Sequence, residues 1–406
     1  MTSHKYYGWY VVAINAVIGC TLSAGFPQSS MTAAALATAM GAAQDAVLVG
    51  DTIKTVGIVL AMMLSGVAYR KLGLRPVFLI SMASVVVTTA VIPLNGSLAV
   101  LYVLKFIQGF SSLIFPLFLI VIMDWIGEKD RGLSSAVYTG VFYGGAGVGG
   151  TFSGFVIERF GWQASYYALA LLQAAAAVVW LLTVREKADR PEAEKSGKLS
   201  LAGVLRNPLV WLLVAGFIAT TWSVQAISVD MPLFGADLGY GDLENGKILS
   251  AISVGIVLAS LVSGKLSDLW AARRRNKAAA RTAVFAAGCV IMMAAVAALL
   301  TLDLTRFGVF YGVVLFFSFG AAWGLGAFYC ILPELFDEET SSVATGLIGG
   351  FGDIGMTLGP VAVGILCGAR GLWNLGWGLC ALVAAVSLLA CGGIIGMTKK
   401  SEQKGS

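Results

Sequence analysis

The strongest constraint in this sequence is a series of twelve apolar runs separated by short charged segments. A helix needs about 20 apolar residues to cross the hydrocarbon core of a bilayer. Every backbone polar group there has to be satisfied within the chain, which favours helices. We therefore predict an all-α membrane protein with spans at residues 8–30, 46–69, 75–94, 97–125, 132–157, 163–184, 207–235, 245–269, 281–301, 305–333, 342–367 and 372–397.

The composition excludes several other classes of protein. Hydrophobic residues make up 58% of the chain and charged residues 12%, whereas soluble domains carry about 25% charged residues. We expect such an apolar chain to be embedded in the lipid bilayer and not to bind a nucleic acid. The six cysteines lie in apolar runs without metal-ligand spacing, and His4 is the single histidine. These features predict no metal, no cofactor and no enzyme activity.

Lysine and arginine are unevenly distributed between the two sets of loops. If both termini are cytoplasmic, 21 of the 27 basic residues fall in cytoplasmic segments and 4 fall in loops on the other side. Membrane proteins carry their excess of positive charge on the cytoplasmic side. We therefore predict cytoplasmic termini and a multi-pass location in the plasma membrane, as in a bacterial inner membrane.

The spans divide into two halves that resemble each other. The hydrophilic segment 185–206 predicts a cytoplasmic linker between one six-helix bundle at 1–184 and a second at 207–397, with a cytoplasmic tail at 398–406. A shift of 210 residues aligns one acidic pair and four glycine pairs: Asp124 with Glu334, Gly140 with Gly350, Gly145 with Gly355, Gly149 with Gly359 and Gly154 with Gly364. This register predicts pseudo-symmetric halves.

Two loops carry a recognisable pattern. The loop after span 2 contains Gly66-Val-Ala-Tyr-Arg70-Lys71-Leu-Gly73-Leu-Arg75, and the loop after span 8 contains Gly264-Lys-Leu-Ser-Asp268-Leu-Trp-Ala-Ala-Arg273. Both are similar to the Gly-x-x-x-Asp-Arg-x-Gly-x-Arg pattern of the major facilitator superfamily, although the first copy has Arg in place of Asp. The chain resembles this family over nearly its whole length.

The resemblance implies a specific architecture and gate. It implies twelve helices in two six-helix halves, with spans 1, 4, 7 and 10 around a central cavity, spans 2, 5, 8 and 11 beside them, and spans 3, 6, 9 and 12 outside. It also implies a cytoplasmic charge clamp that includes Asp268. Span 4 is similar to the family's motif there, with Lys105 in place of Arg. The opening residues 7–12 are similar to the oxalate:formate antiporter and monocarboxylate transporter branch.

Ionisable residues inside spans are costly, by about 2.5–3.5 kcal/mol each on insertion scales, so each predicts a partner or a function. Lys54 in span 2 and Lys105 in span 4 are candidate anion-binding residues. Asp353, near the middle of span 11, is a candidate for substrate contact and, together with Lys105, for proton coupling. Two alternatives stay open: Asp353 forms a static ion pair with one lysine, or Asp51 neutralises Lys54 three residues along the helix.

A second charged set is expected to gate the path: Asp124, Glu334, Asp268, Arg75, Arg131 and Asp230. Asp124 and Glu334 end spans 4 and 10, and we expect them to pair with loop arginines such as Arg131 or Arg75. Asp230, at the outer end of span 7, is interpreted as an outer gate or as a solvated interfacial residue.

Uncharged residues on the expected cavity helices extend the candidate substrate contacts, with helix packing as the alternative role of each: Gln28, Gln108, Tyr143, Trp222, Gln225, Trp323 and Tyr329. Together the residues indicate a monomeric secondary transporter of a small organic anion, a mono- or dicarboxylate, with proton coupling or exchange. Two alternatives are a proton-driven exporter of lipophilic or cationic compounds and a transceptor-like sensor.

Overall fold

The computed structural model describes residues 2–185, 201–368 and 372–405, so residues 186–200 of the predicted linker lie outside it. The described chain is helical, with short connections. Its helices are α1 (Thr2–Ser23), α2 (Gly25–Met40), α3 (Gln44–Leu72), α4 (Leu74–Val91), α5 (Leu98–Gly109), α6 (Ile114–Trp125), α7 (Arg131–Phe160), α8 (Trp162–Thr183), α9 (Leu201–Arg206), α10 (Pro208–Asp237), α11 (Asp242–Ala272), α12 (Lys277–Thr301), α13 (Phe307–Ala327), α14 (Leu332–Leu335), α15 (Glu338–Gly368) and α16 (Trp373–Gly405).

The number of spans agrees with the sequence prediction. Among the described residues, twelve helical segments are long and apolar enough to cross a membrane, which confirms the predicted fold class. The first segment runs over Tyr6–Met40, ten residues beyond its predicted end at residue 30. Gln28 and Thr32 look like the polar end of a span, but they are satisfied inside the bundle by hydroxyl groups of Ser165 and Tyr166 in α8.

Two of the spans change helix type partway along. A 3-10 turn over Phe110–Leu113 separates α5 from α6, and another over Phe328–Cys330 separates α13 from α14. Pro116 and Pro333 follow these turns. Proline has no N–H, and its ring clashes with the carbonyl group four residues earlier. That carbonyl group lies within the 3-10 turn in both spans, so the proline accounts for the change.

The folded chain consists of two compact units. Unit 1 comprises Met1–Ile126, Val141–Leu199 and Thr345–Gly350. Unit 2 comprises Gly127–Gly140, Ser200–Ala344 and Phe351–Ser406.

Glycine permits the close approach of helix backbones inside each unit. In unit 1, a Cβ on Gly145 of α7 would lie 2.9 Å from Cα of Cys20 in α1. In unit 2, a Cβ on Gly355 of α15 would lie 2.6 Å from the carbonyl oxygen of Ile218 in α10. Small residues allow such close packing between membrane helices. Because Gly145 and Gly355 correspond in the 210-residue register, the same close approach is made once in each unit.

Candidate functional site

A buried polar cluster in unit 1 joins α2, α3 and α5. Lys105 Nζ lies 2.7 Å from Oδ1 of Asp51 and also donates to the hydroxyl oxygen of Ser29. The Ser29 hydroxyl donates to the same Asp51 oxygen at 2.9 Å. Gly50 makes room for the lysine stem, since a Cβ there would lie 3.3 Å from Lys105 Cγ. Asp51 therefore pairs with Lys105 and not with Lys54, which the helical spacing had favoured.

The two members of the ion pair differ in their access to solvent. The side chain of Lys105 is 3% exposed, whereas that of Asp51 is 35% exposed. The carboxylate is therefore the accessible member of the pair, and the ammonium group is enclosed by protein.

Lys54 lies one turn further along α3 and has a different environment. It is 5% exposed, and its Nζ lies 4.3 Å from the centroid of the Phe26 ring. This is a cation–π interaction. Among the side chains that the structure describes, no carboxylate lies within ion-pair distance of Lys54. Lys54 is thus a buried cation without an ion-pair partner in the described part of the chain.

A cavity of about 20 Å³ adjoins Lys54 in unit 1. Its polar lining comes from Lys54, Thr89, Gln108, Ser111, Ser112 and Gln173. Gln108 Nε2 donates to Thr89 Oγ1 at 2.9 Å on the cavity wall. A space of this size accommodates about one water molecule. An organic ligand would require this site to widen.

The other candidates in unit 1 have partners within the protein. Gln28 Nε2 donates to Ser165 Oγ of α8 at 3.2 Å, which ties it to the scaffold. The Tyr143 ring packs edge-on against the rings of Phe115 and Phe142, at centroid distances of 6.2 and 5.2 Å. The structure therefore brings Gln108, but not Gln28, to the cavity beside Lys54.

Asp353 lies in unit 2, on α15. It is 4% exposed, and its Oδ1 has no hydrogen-bond partner among the described residues. Trp222 Nε1, on the neighbouring α10, is likewise buried without an acceptor in the described residues. Buried polar atoms are nearly always paired, so each such exception requires an explanation. A proton or a polar ligand group would satisfy the carboxylate.

The remaining unit 2 candidates have different environments. Trp323 Nε1 donates to the carbonyl oxygen of Val284 in α12 at 2.8 Å, so this side chain ties α13 to α12. The Tyr329 ring packs edge-on against Phe217 at a centroid distance of 5.2 Å. Gln225 is half-buried on α10. Packing therefore accounts for Trp323.

Asp268 belongs to a buried ionic cluster in unit 2. Its carboxylate oxygens accept the backbone N–H groups of Gly132 at 2.8 Å and Leu133 at 2.9 Å, at the start of α7. These N–H groups have no partner within their own helix. Arg281 Nη1 donates to Asp268 Oδ1 at 3.0 Å. The predicted clamp residue thus binds a helix N-terminus and an arginine.

The other predicted gate residues are more dispersed. Glu334 Oε1 lies 3.5 Å from Nε of Arg281. The prediction that Glu334 pairs with Arg131 or Arg75 is therefore wrong, and its partner is Arg281. Arg131 begins α7, and Arg75 is exposed on α4. Asp124 lies near the end of α6.

The environment of Asp230 contradicts one of its two interpretations. It is 2% exposed in α10, and its Oδ2 lacks a hydrogen-bond partner in the described part of the chain. Interfacial solvation of Asp230 is therefore wrong, and the outer-gate interpretation stays a prediction.

Sequence reasoning missed two contributors. Nothing in the sequence distinguishes Ser29 from other serines in apolar runs. Arg281, at the start of span 9, looks like an ordinary basic residue at the end of a span. Within the described residues, no group of three or more His, Cys, Asp or Glu side chains could hold a metal ion.

The chain is similar in sequence to two anion transporters. It is 20% identical over 306 residues to the "Probable galactarate/D-glucarate transporter" of Bacillus subtilis (strain 168), a match over 68% of this chain and 66% of that protein. It is 24% identical over 245 residues to "Probable anion transporter 7" of Oryza sativa subsp. japonica, over 54% of this chain and 55% of that protein.

An exporter also matches. The chain is 28% identical over 205 residues to the "Tetracenomycin C resistance and export protein" of Streptomyces glaucescens, over 48% of this chain and 34% of that protein. The chain spans less than two thirds of the length of each of these three relatives.

The fold is similar to that of the human organic anion transporter MFSD10 (TETRAN), with a TM-score of 0.74 at 14% identity over 95% of this chain and 99% of that one. Residues 13–314 match the model of the Major Facilitator Superfamily. The family and the relatives named above are those of transport proteins and not of enzymes. Since the family model matches well over half of its residues, the chain belongs to the Major Facilitator Superfamily.

Proposed function

We propose that the protein is a secondary transporter of a small organic anion, a mono- or dicarboxylate, that works by alternating access. One observation carries this proposal: Lys54 is a buried cation that has an aromatic ring but no carboxylate partner among the described side chains. An isolated buried charge is unfavourable unless a counterion accompanies it. A carboxylate ligand would supply that counterion.

The surroundings of Lys54 suit a carboxylate headgroup. Gln108 and the hydroxyl groups of Ser111 and Ser112 line the same cavity and can donate hydrogen bonds to it. Lys105 adds a second cation, although in this structure Asp51 holds it. The names of two relatives, a galactarate/D-glucarate transporter and an anion transporter, support the same substrate class.

The direct test is uptake by proteoliposomes. Radiolabelled formate, lactate, pyruvate, oxalate, succinate, benzoate, galactarate and D-glucarate are presented with and without an inward proton gradient, and in exchange mode. We expect at least one of these anions to enter faster than in protein-free liposomes. Entry of none of them, in any mode, would contradict the anion proposal.

The role of Lys54 is tested by Lys54→Gln. A hydrogen bond to a charged group contributes about 1.5–3 kcal/mol, so the substitution should weaken binding of the transported anion by about 10- to 150-fold. Lys247→Gln is the matched control, because Lys247 also faces an aromatic ring, that of Phe307 at 5.8 Å, but is exposed. Equal effects of the two substitutions would remove Lys54 from the site.

We assign proton coupling in unit 2 to Asp353, whose buried Oδ1 has no described partner. Asp353→Asn keeps the shape of the side chain but cannot exchange a proton. We expect this variant to retain anion exchange and to lose accumulation driven by the proton gradient. Accumulation at the wild-type level would limit Asp353 to a structural role.

A second candidate function is proton-driven export of lipophilic or cationic compounds. The observation that favours it is again the buried Asp353, which could attract a cation and lies on α15, a helix that packs against Phe217 and Trp222 of α10. Accumulation of ethidium inside energised inverted vesicles distinguishes the two functions. Export of ethidium that is lost in Asp353→Asn and retained in Lys54→Gln would favour the exporter.

We further propose cytoplasmic termini, since this orientation places most of the basic residues on the cytoplasmic side. A single cysteine introduced at Lys404 in a cysteine-free variant should react with an impermeant maleimide in inverted vesicles and stay unlabelled in intact cells. The opposite pattern would reverse the orientation. A monomer is the expected oligomeric state, which light scattering of the detergent-purified protein measures.

A further inference from the structure

We propose that unit 2 binds the phosphodiester headgroup of an anionic phospholipid in a cavity lined by α10, α12, α14 and α16. This cavity is separate from the polar cluster in unit 1 and from Asp353. The proposal therefore goes beyond the proposed function and does not depend on it. Four features support it: the size of the cavity, its basic lining, its apolar lining and its depth in the membrane.

The cavity has a volume of about 340 Å³. This volume lies within the range of small-molecule sites, about 300–1,000 Å³. Its basic and polar lining comes from the segment Arg275–Lys277 at the start of α12. A phosphate group with its glycerol substituent can enter a space of this size, while the acyl chains of the lipid stay outside in the bilayer.

The charges around the cavity leave positive charge available to an anion. Arg275 is exposed and has no ion-pair partner among the described residues. Lys277 Nζ lies 2.7 Å from Glu128, but the Glu128 side chain is 67% exposed, and such a surface pair is weak. Glu334 also lines the cavity, and Arg281 compensates its charge at 3.5 Å. An anion beside Arg275 therefore meets no uncompensated carboxylate of the lining.

The basic lining has the donors that a phosphate group requires. The guanidinium group of an arginine binds phosphate oxygens through two parallel N–H bonds. Asn276 caps α12 with its side-chain oxygen, which accepts the N–H of Ala279 at 2.8 Å, so its NH₂ group can donate to a bound anion. The run 273–277 contains four basic residues. Clusters of four or more basic residues directly beside a membrane span attract anionic lipid headgroups.

The apolar lining and the depth of the cavity favour a lipid over a soluble phosphate. Leu209, Leu335 and Met397 contribute apolar side chains, and Met397 is 39% exposed. Trp211, two residues after Leu209, is 46% exposed and donates from Nε1 to the carbonyl oxygen of Leu205 at 2.7 Å. Tryptophan is enriched at the membrane–water interface. The cavity thus lies at the level of the headgroups and offers apolar contacts to the glycerol ester.

The test is native mass spectrometry of the purified protein in an uncharged detergent, titrated with phosphatidylglycerol. We expect tighter binding of this lipid than of phosphatidylcholine, and weaker binding as the salt concentration rises. Arg275→Gln should lower the affinity about tenfold, because it removes a charged donor to the phosphate. Arg275→Lys, which keeps the charge, should retain part of the affinity.

The matched control is Arg274→Gln. It removes the same charge from the neighbouring residue, which is also exposed but does not line the cavity. We expect it to lower the affinity by less than about threefold, as for an exposed ion pair. Without lipid, both variants should melt at the wild-type temperature, because both residues are exposed. Phosphatidylglycerol should raise the melting temperature of the wild type more than that of Arg275→Gln.

A competition experiment separates the lipid from a soluble phosphate. Glycerol 3-phosphate and inorganic phosphate, each in large excess, should not displace phosphatidylglycerol, because they lack the groups that contact the apolar lining. Displacement by either compound would overturn the lipid as the ligand.

Two further outcomes would overturn the proposal. Equal losses of affinity in Arg275→Gln and Arg274→Gln would remove the cavity as the site, and equal binding of phosphatidylcholine would remove the requirement for an anionic headgroup. None of these measurements uses transport of an organic anion. Failure of the lipid site therefore leaves the proposed function intact, and failure of anion uptake leaves the lipid site intact.

Discussion

Replacing Lys54 with methionine is expected to stabilise the fold while it weakens anion binding. A lysine inside a span costs up to about 2.5–3.5 kcal/mol on insertion scales. The cation–π interaction with Phe26 offsets about 0.5–2 kcal/mol of that. Methionine has a similar length and no charge, so Lys54→Met should increase the free energy of unfolding by the difference, about 0.5–3 kcal/mol.

The matched variant Lys105→Met should change the free energy of unfolding in the opposite direction. Breaking a buried ion pair by removal of one partner costs about 3–5 kcal/mol. Asp51 is partly exposed and regains water, which reduces the cost, so we expect destabilisation by about 1–3 kcal/mol. Lys247→Met, at an exposed position, should change stability by less than about 0.5 kcal/mol.

Equilibrium unfolding of the purified variants in mixed micelles, followed by tryptophan fluorescence during denaturant titration, measures these differences. The decisive result is whether Lys54→Met and Lys105→Met change the free energy of unfolding in opposite directions. If Lys54→Met destabilises the protein as much as Lys105→Met does, Lys54 has a counterion, and the reasoning that makes it an anion site is refuted.

Two other substitutions test the packing and the ionic cluster. Gly149→Ala should destabilise unit 1, since a Cβ at Gly149 would overlap Ala24. Gly150→Ala is the control, because its Cβ would lie 3.6 Å from Pro27 and should be tolerated. Equal melting temperatures of the two variants would contradict this packing argument. Arg281→Met leaves the buried carboxylate of Asp268 and the half-buried carboxylate of Glu334 without their cation, and it should cost about 3–5 kcal/mol. In thermal unfolding, Arg281→Met should lose far more stability than a variant that breaks an exposed ion pair, because an exposed pair contributes only about 0–1 kcal/mol.

Some properties of this protein are readable along the chain. The twelve spans follow from runs of apolar residues, because each span buries its own backbone hydrogen bonds and must match the thickness of the bilayer. The loop patterns predicted the family, and the repeat that the glycine register indicates stays a prediction. Lys54, Lys105 and Asp353 were recognisable as unusual because a charge inside an apolar run is rare. The resemblance of residues 7–12 to one branch stays a prediction.

The partner of each buried charge is a property of the tertiary structure. Asp51 is three residues from Lys54, yet it pairs with Lys105, which is 54 residues away. Glu334 approaches Arg281 and not the loop arginines that the sequence favoured. Both choices depend on helix packing, which sets the distances between side chains on different helices. Sequence spacing predicts only the neighbours on one helix, so the unpaired state of Lys54 emerges once α2, α3 and α5 are packed together.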